Sequence, residues 1–215
     1  MLAHGQHVIT ARARDAAGNL SEASPLLVVT IDTAAPALSS IQFGFDLAPM
    51  AVSMQFSEPV DPTLSLADVV LRDVTAGATV DSANLALVFG DATIWLRFPG
   101  FPRGILPDAD YRLTILAAGV TDAAGNPLAS DGVLDFFFLN GDANRDRRVN
   151  LDDFNILATN FGQSSRTFSQ GDFTYDGVVN LDDFNVLASR FGQVLSAATS
   201  WRGVADRLTR DDAVV

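Results

Sequence analysis

The chain has 215 residues, 48% of them apolar, with a formal charge of −12, two His and no Cys. That length and apolar content describe one or two folded domains, and the negative charge argues against nucleic acid or an anionic membrane as partner. Without Cys there is no disulfide, thiolate nucleophile or zinc-thiolate cluster, and no apolar run approaches the roughly 18 residues of a membrane span.

The acidity is made almost entirely of Asp, 24 against 2 Glu, with 14 Arg and no Lys. Asp favours turns, caps and cation sites where Glu favours helix interiors, so a mainly β chain with many turns is predicted. Met1–Leu20 carries no apolar segment of signal-peptide type. It runs directly into strand-like sequence, as expected of a fragment of a longer chain or a misplaced start. Residues His7–Arg14 and Leu26–Ile31 read as two strands around a turn at Asp15–Asn19. Residues 1–33 are therefore expected to be the last hairpin of a truncated domain.

Residues 34–140 read as one β-sandwich. Apolar residues alternate at Ile41, Phe43 and Phe45, and again at Met50, Val52, Met54 and Phe56. The pattern continues at Leu85, Leu87 and Phe89, at Ile94, Leu96 and Phe98, and at Tyr111, Leu113 and Ile115. A phenylalanine-rich strand closes the unit at Val133–Asn140. The pentapeptide DAAGN occurs at Asp15–Asn19 and at Asp122–Asn126, each time ahead of a closing strand. It reads either as a Gly-containing turn or as an interdomain cation site. FSEPVD at Phe56–Asp61, YRLTILAAGVTDAAGNPL at Tyr111–Leu128 and the closing strand resemble bacterial immunoglobulin-like modules of surface and secreted proteins. The resemblance implies a spacer or stalk without chemistry of its own.

Gly141–Gln163 and Gly171–Gln193 are a duplication, identical at 15 of 23 positions. Counted from the first Asp, positions 1, 3, 5, 9 and 12 are Asp142, Asn144, Asp146, Asn150 and Asp153. In the second copy they are Asp172, Thr174, Asp176, Asn180 and Asp183. This is the spacing of a calcium loop, with position 7 (Arg148, Val178) contributing a backbone carbonyl. Position 6 favours Gly for its left-handed turn; the second copy has Gly177 there and the first has Arg147. Val149 and Val179 at position 8 are expected to pair the two loops with each other. Leu151, Phe154, Leu157, Ala158 and Phe161 then recur at helical spacing before Gly162, as do Leu181, Phe184, Leu187, Ala188 and Phe191 before Gly192. Three carboxylates about 5 Å apart repel by roughly 3 kcal/mol per pair at an effective dielectric near 20, so metal dependence is expected.

No helix is predicted ahead of either loop, in contrast to an ordinary EF-hand. Two loop-plus-exiting-helix units with Asp at position 12 are similar to a type I-like dockerin. The expected fold class is thus a mainly β immunoglobulin-like sandwich followed by a small all-α dockerin domain at 141–193, with a tail at 194–215. The resemblance implies two calcium ions and a cohesin-type partner. It maps partner contacts onto Leu151, Asp152, Thr159 and Asn160, and onto Leu181, Asp182, Ser189 and Arg190; the other reading of these residues is a solvated helix face. Where many dockerins carry a hydroxyl pair and a basic pair, this chain carries Leu-Asp and Thr-Asn or Ser-Arg.

Two functions follow. One is a calcium-dependent interaction module that anchors a secreted or surface protein, of polysaccharide degradation, to a cohesin-type partner. The other is a calcium-stiffened terminal cap of a surface or adhesive protein with no such partner. An enzyme is not expected: the only histidines, His4 and His7, lie in the N-terminal hairpin, and no Ser/His/Asp set assembles. Calcium at the levels such loops need is found outside the cell, so an extracellular or surface location is expected. In the tail, Leu195, Trp201, Val204 and Leu208 are loosely helical in spacing.

Overall fold

The computed structural model describes residues 2–60 and 63–197. The spacing read at Trp201, Val204 and Leu208 lies outside the described residues. The first two strands, β1 (Gly5–Ile9) and β2 (Leu27–Ile31), form an antiparallel pair with Gly5 opposite Ile31 and Ile9 opposite Leu27. The first strand is shorter than its apolar pattern predicts. Beyond it a single bridge, Arg14 opposite Leu20, closes the Asp15–Asn19 turn. Val8, Leu26, Leu27 and Val28 are exposed, so the hairpin has little to pack against.

Eight strands follow: β3 (Leu38–Gly44), β4 (Ala51–Phe56), β5 (Val69–Asp73), β6 (Ala78–Thr79), β7 (Ala86–Phe89), β8 (Thr93–Arg97), β9 (Ala109–Ile115) and β10 (Gly132–Phe138). They make two antiparallel four-stranded sheets, ordered β10-β9-β5-β6 and β3-β4-β8-β7. Side chains alternate across a strand, so one face of each sheet can be wholly apolar. Val52, Met54 and Phe56 on β4, Ile94 and Leu96 on β8, and Tyr111, Leu113 and Ile115 on β9 are each no more than 2% exposed. The sheets meet at Phe43 and Phe136, whose ring centroids lie 4.2 Å apart. Phe89, placed inside by its alternation, is exposed on the edge strand β7.

Two α-helices complete the described fold, α1 (Leu151–Asn160) and α2 (Leu181–Arg190). Each opens on an Asn cap in a reciprocal box, Asn150 with Asp153 and Asn180 with Asp183, which satisfies two of the helix's free N–H groups. Each stops just ahead of a left-handed glycine, Gly162 at φ 78° and Gly192 at φ 86°.

The expected architecture needs correction. The chain is mainly β, three sheets with two ten-residue helices, and a separate small all-α domain after an immunoglobulin-like one is not seen as such. The physical reason is a shared core. Ala143, Val149, Leu157, Phe168, Phe173, Val179 and Leu187 are buried in one apolar cluster with the side chains of the two sheets. Phe168, in the polar stretch between the repeats, is the pin. Its ring lies 5.5 Å from Phe138, 6.0 Å from Phe45, 5.2 Å from Phe173 and 5.7 Å from Tyr175, and its N–H donates to the Asp46 carbonyl at 3.0 Å.

Candidate metal centre

Each repeat turns its chain around a first Asp by the same hydrogen bonds. In the first loop the N–H groups of Asp146 and Arg147 donate to Asp142 at 3.0 and 2.9 Å, and Arg148 N–H donates to Asp146 at 2.9 Å. In the second, Asp176 and Gly177 donate to Asp172 at 3.1 and 2.8 Å, and Val178 donates to Asp176 at 2.9 Å. The closing carboxylate ties the loop's start to its helix. Asp153 accepts from Ala143 and Asn150 N–H at 2.8 and 2.9 Å; Asp183 accepts from Thr174 and Asn180 N–H, both at 2.9 Å. Asn150 and Asn180 at position 9 cap their helices, accepting from Asp152 N–H at 2.6 Å and Asp182 N–H at 2.7 Å. Asn144 at position 3 accepts from Asp146 N–H at 3.0 Å.

Three of the expected ligand positions come together in the second loop. Asp172, Asp176 and Asp183 each bring a carboxylate oxygen within 4.8 Å of the others. Among the described residues the matching trio of the first loop, Asp142, Asp146 and Asp153, is not drawn that close. Asp142, Asp153 and Asp183 are fully buried and Asp172 nearly so. Burial pushes the Asp142 carboxyl up to about 6, against the pull of the Arg147 N–H, and the charges of Asp153 and Asp146 add to the rise. Burial likewise raises Asp153 and Asp172. A buried carboxylate cluster of this kind is costly as an anion. With oxygens no more than 4.8 Å apart, the buried pair Asp172 and Asp183 repel by at least about 3 kcal/mol at an effective dielectric near 20.

A hard divalent cation fits this donor set. All donors are oxygen, and a neutral member of the second loop supplies the clearest sign: Thr174 is 5% exposed, yet its Oγ1 has no hydrogen-bond partner. A buried hydroxyl without a partner needs an explanation, and its place at position 3 of the loop provides one. Asp142, Asn144, Asp146, the Arg148 carbonyl, Asn150 and Asp153 would hold one ion, and Asp172, Thr174, Asp176, the Val178 carbonyl, Asn180 and Asp183 the other.

The left-handed turn expected at position 6 is present in both loops, at Arg147 (φ 70°) and Gly177 (φ 83°). A second left-handed residue was not legible in the sequence, Arg145 (φ 63°) and Tyr175 (φ 60°) at position 4. Their long side chains reach the sheets. The Arg145 guanidinium lies 4.1 Å from the Phe45 ring and 3.9 Å from the Phe137 ring and donates to the Phe137 carbonyl at 2.9 Å. Tyr175 Oη donates to the Phe45 carbonyl. The only sequence signal was bulk at a loop position that ligand geometry leaves free.

Val149 and Val179 are buried, but they do not pair with each other as expected. Val149 N–H donates to the Gln193 carbonyl at 3.0 Å and its own carbonyl accepts from Gly192 at 2.8 Å. Val179 does the same with Gln163 and Gly162, at 3.0 and 2.8 Å. Each loop is thus stitched to the end of the other repeat's helix.

The helix faces also differ from the apolar pattern. Leu157 and Leu187 are buried, whereas Leu151, Leu181, Phe161 and Phe191 are more than half exposed, at 60%, 62%, 52% and 56%. Of the residues mapped to a partner surface, Leu151, Asp152, Thr159, Leu181, Asp182 and Ser189 are exposed, while Asn160 and Arg190 are half-buried. The Thr159 and Ser189 hydroxyls donate back into their helices, to Asn155 and Val186 carbonyls, both at 2.7 Å. The repeats diverge at the last position. Asn160 donates to the Ile156 carbonyl at 2.9 Å, but Arg190 is paired with Asp108 at 2.7 Å.

The DAAGN sequences form turns. Asp15 and Asp122 each accept from the N–H and side-chain amide of the Asn four residues on. Asp122 does lie in a second acidic trio, with Asp32 and Glu58, whose oxygens are within 4.8 Å of one another. Both Asp122 oxygens are already occupied by the turn. Among the described residues no helix is long and apolar enough to cross a membrane.

No protein-family model matches the chain, and no curated protein matches it. A solved structure, a type II cohesin-dockerin domain from Bacteroides cellolosolvens, is similar to it with 42% sequence identity. That match covers 29% of this chain and 98% of the other, at a TM-score of 0.26.

Proposed function

We propose that the two loop–helix repeats are a calcium-dependent protein-interaction module, holding two ions and docking onto a cohesin-type partner. The observation that carries the reading is the second loop: three carboxylates within 4.8 Å of one another, beside a buried Thr174 hydroxyl that has no protein partner. Calcium supplies the positive charge that lets these buried carboxylates stay ionised together. The chain's own residues orient the oxygens, cap the helices and carry the exposed stripes Leu151, Asp152 and Thr159, and Leu181, Asp182 and Ser189. We place the module outside the cell or on its surface, where free calcium exceeds a micromolar dissociation constant about a thousandfold, and serving polysaccharide breakdown through domains other than these. No catalytic role is proposed for the chain itself.

Calorimetric titration with calcium should give two binding events, and capture on immobilised cohesin-type modules should be abolished by chelator. Absence of both calcium events removes the reading. Two events without capture leave the second reading, a calcium-stiffened cap. That reading is favoured by one specific feature: Arg145, Arg147, Tyr175 and Phe168 all bind the repeats to the sheets.

A further inference from the structure

The geometry points to Asp110, on β9, as a positioning residue for the first calcium loop. It holds Arg147 in the left-handed backbone conformation that aims the Arg147 N–H at Asp142. The inference rests on the calcium reading above and extends it into the sheets.

The internal repeat supplies the control. Arg147 (φ 70°) and Gly177 (φ 83°) occupy the same position and perform the same backbone task, donating to Asp142 at 2.9 Å and to Asp172 at 2.8 Å. Glycine adopts that conformation freely, whereas a residue with a Cβ is disfavoured there. Something must therefore keep Arg147 in place that Gly177 does not need. Its Nη2 is 2.7 Å from Asp110 Oδ1, and its guanidinium lies 4.2 Å from the centre of the Phe137 ring. Asp110 is fully buried and rigidly mounted: its N–H donates to Thr75 Oγ1 at 2.9 Å and its carbonyl accepts from Val74 N–H at 2.7 Å. A buried carboxylate demands a countercharge, so folding of the sheets draws the Arg147 guanidinium in and sets the loop before any ion arrives. Such preorganisation raises affinity by removing an ordering step from binding.

Calcium titration of the full chain tests this with Asp110→Ala, Arg147→Gly and the double variant. Asp153→Ala and Asp183→Ala, made singly, assign the two events to their loops. Asp110→Ala should weaken the first-loop event on the order of tenfold, matching release of one left-handed non-glycine residue, and leave the second-loop event unchanged. In the Arg147→Gly background, where no anchor is required, Asp110→Ala should change the first-loop affinity by less than about twofold. Asp110→Asn, which keeps an acceptor for the guanidinium without the charge, should fall between and provides a folded variant if Asp110→Ala misfolds. Two retained events with the first-loop affinity unaltered by Asp110→Ala would overturn the inference and leave the calcium reading intact. Equal weakening of both events would overturn it in favour of general destabilisation. No calcium event in the unaltered protein would sink the underlying reading instead.

Discussion

Removing calcium should lower the stability of the whole described fold, sheets included, and not only of the two helices. If each loop binds with a dissociation constant a thousandth of the free calcium concentration, binding contributes about 4 kcal/mol per site, or about 8 for both. For a chain of this size each kcal/mol shifts the melting temperature by about 2–4 °C, so exhaustive chelation should lower it by roughly 15–30 °C. The sheets follow because the cluster formed by Phe138, Phe168, Phe173, Val149 and Val179 has no boundary between sheets and repeats. When the loops open, Phe168 loses its place against Phe45 and Phe138, and burying a side chain of that size contributes about 2–3 kcal/mol. Far-ultraviolet dichroism read at a helix wavelength and at a sheet wavelength, with and without chelator, gives the assay. The two signals should melt together and shift together. A sheet transition that keeps its midpoint after chelation, or a helical signal indifferent to calcium, would refute the reasoning.

Calcium affinity of the first loop should fall on acidification. The Asp142 carboxyl sits near 6 where its ordinary value is 3.8. Between those values the folded calcium-free protein holds a proton that the unfolded chain has released, so this group favours the calcium-free fold at the acid end and loses that contribution as pH rises through 6. Calcium needs the ionised form, so titration at pH 5 should give an affinity about tenfold below that at pH 7; a pH-independent first event would contradict it. Thr174→Val should weaken the second event by about tenfold and barely alter calcium-free stability, because the hydroxyl has no protein partner. An unchanged second event would remove Thr174 from the ligand set. Leu187→Ala, at a side chain 1% exposed, should cost about 2–5 kcal/mol by denaturant titration; a loss below about 1 kcal/mol would mean that α2 is not anchored in the common core.

What the sequence revealed and what it concealed divide along one physical line. Ligand spacing is local: oxygen-bearing residues at alternate positions can converge within one loop, and Asp172, Asp176 and Asp183 do. Strand alternation is local too, and it placed Met54, Leu96 and Leu113 in the interior correctly. The contacts that join the repeats to the sheets are long-range. Arg147 and Asp110 are 37 residues apart, Tyr175 and Phe45 are 130 apart, and neither pair leaves a periodic trace. Phe168 stood alone in a polar stretch, which reads as linker, yet its ring is the most connected aromatic between the two parts. Helical spacing grouped Phe161 with the buried Leu157, yet Phe161 is exposed, for a related reason. A ten-residue helix buries a narrow stripe, and here the closing carboxylate Asp153 takes one of its two fully buried places, with Leu157 in the other. The helix is oriented by its loop, not by its most apolar face. Leu151 and Leu181 are left in solvent at the same point of both repeats, at 60% and 62% exposure. Because the two loops fold alike, each sets its helix in the same orientation and leaves the same leucine outside.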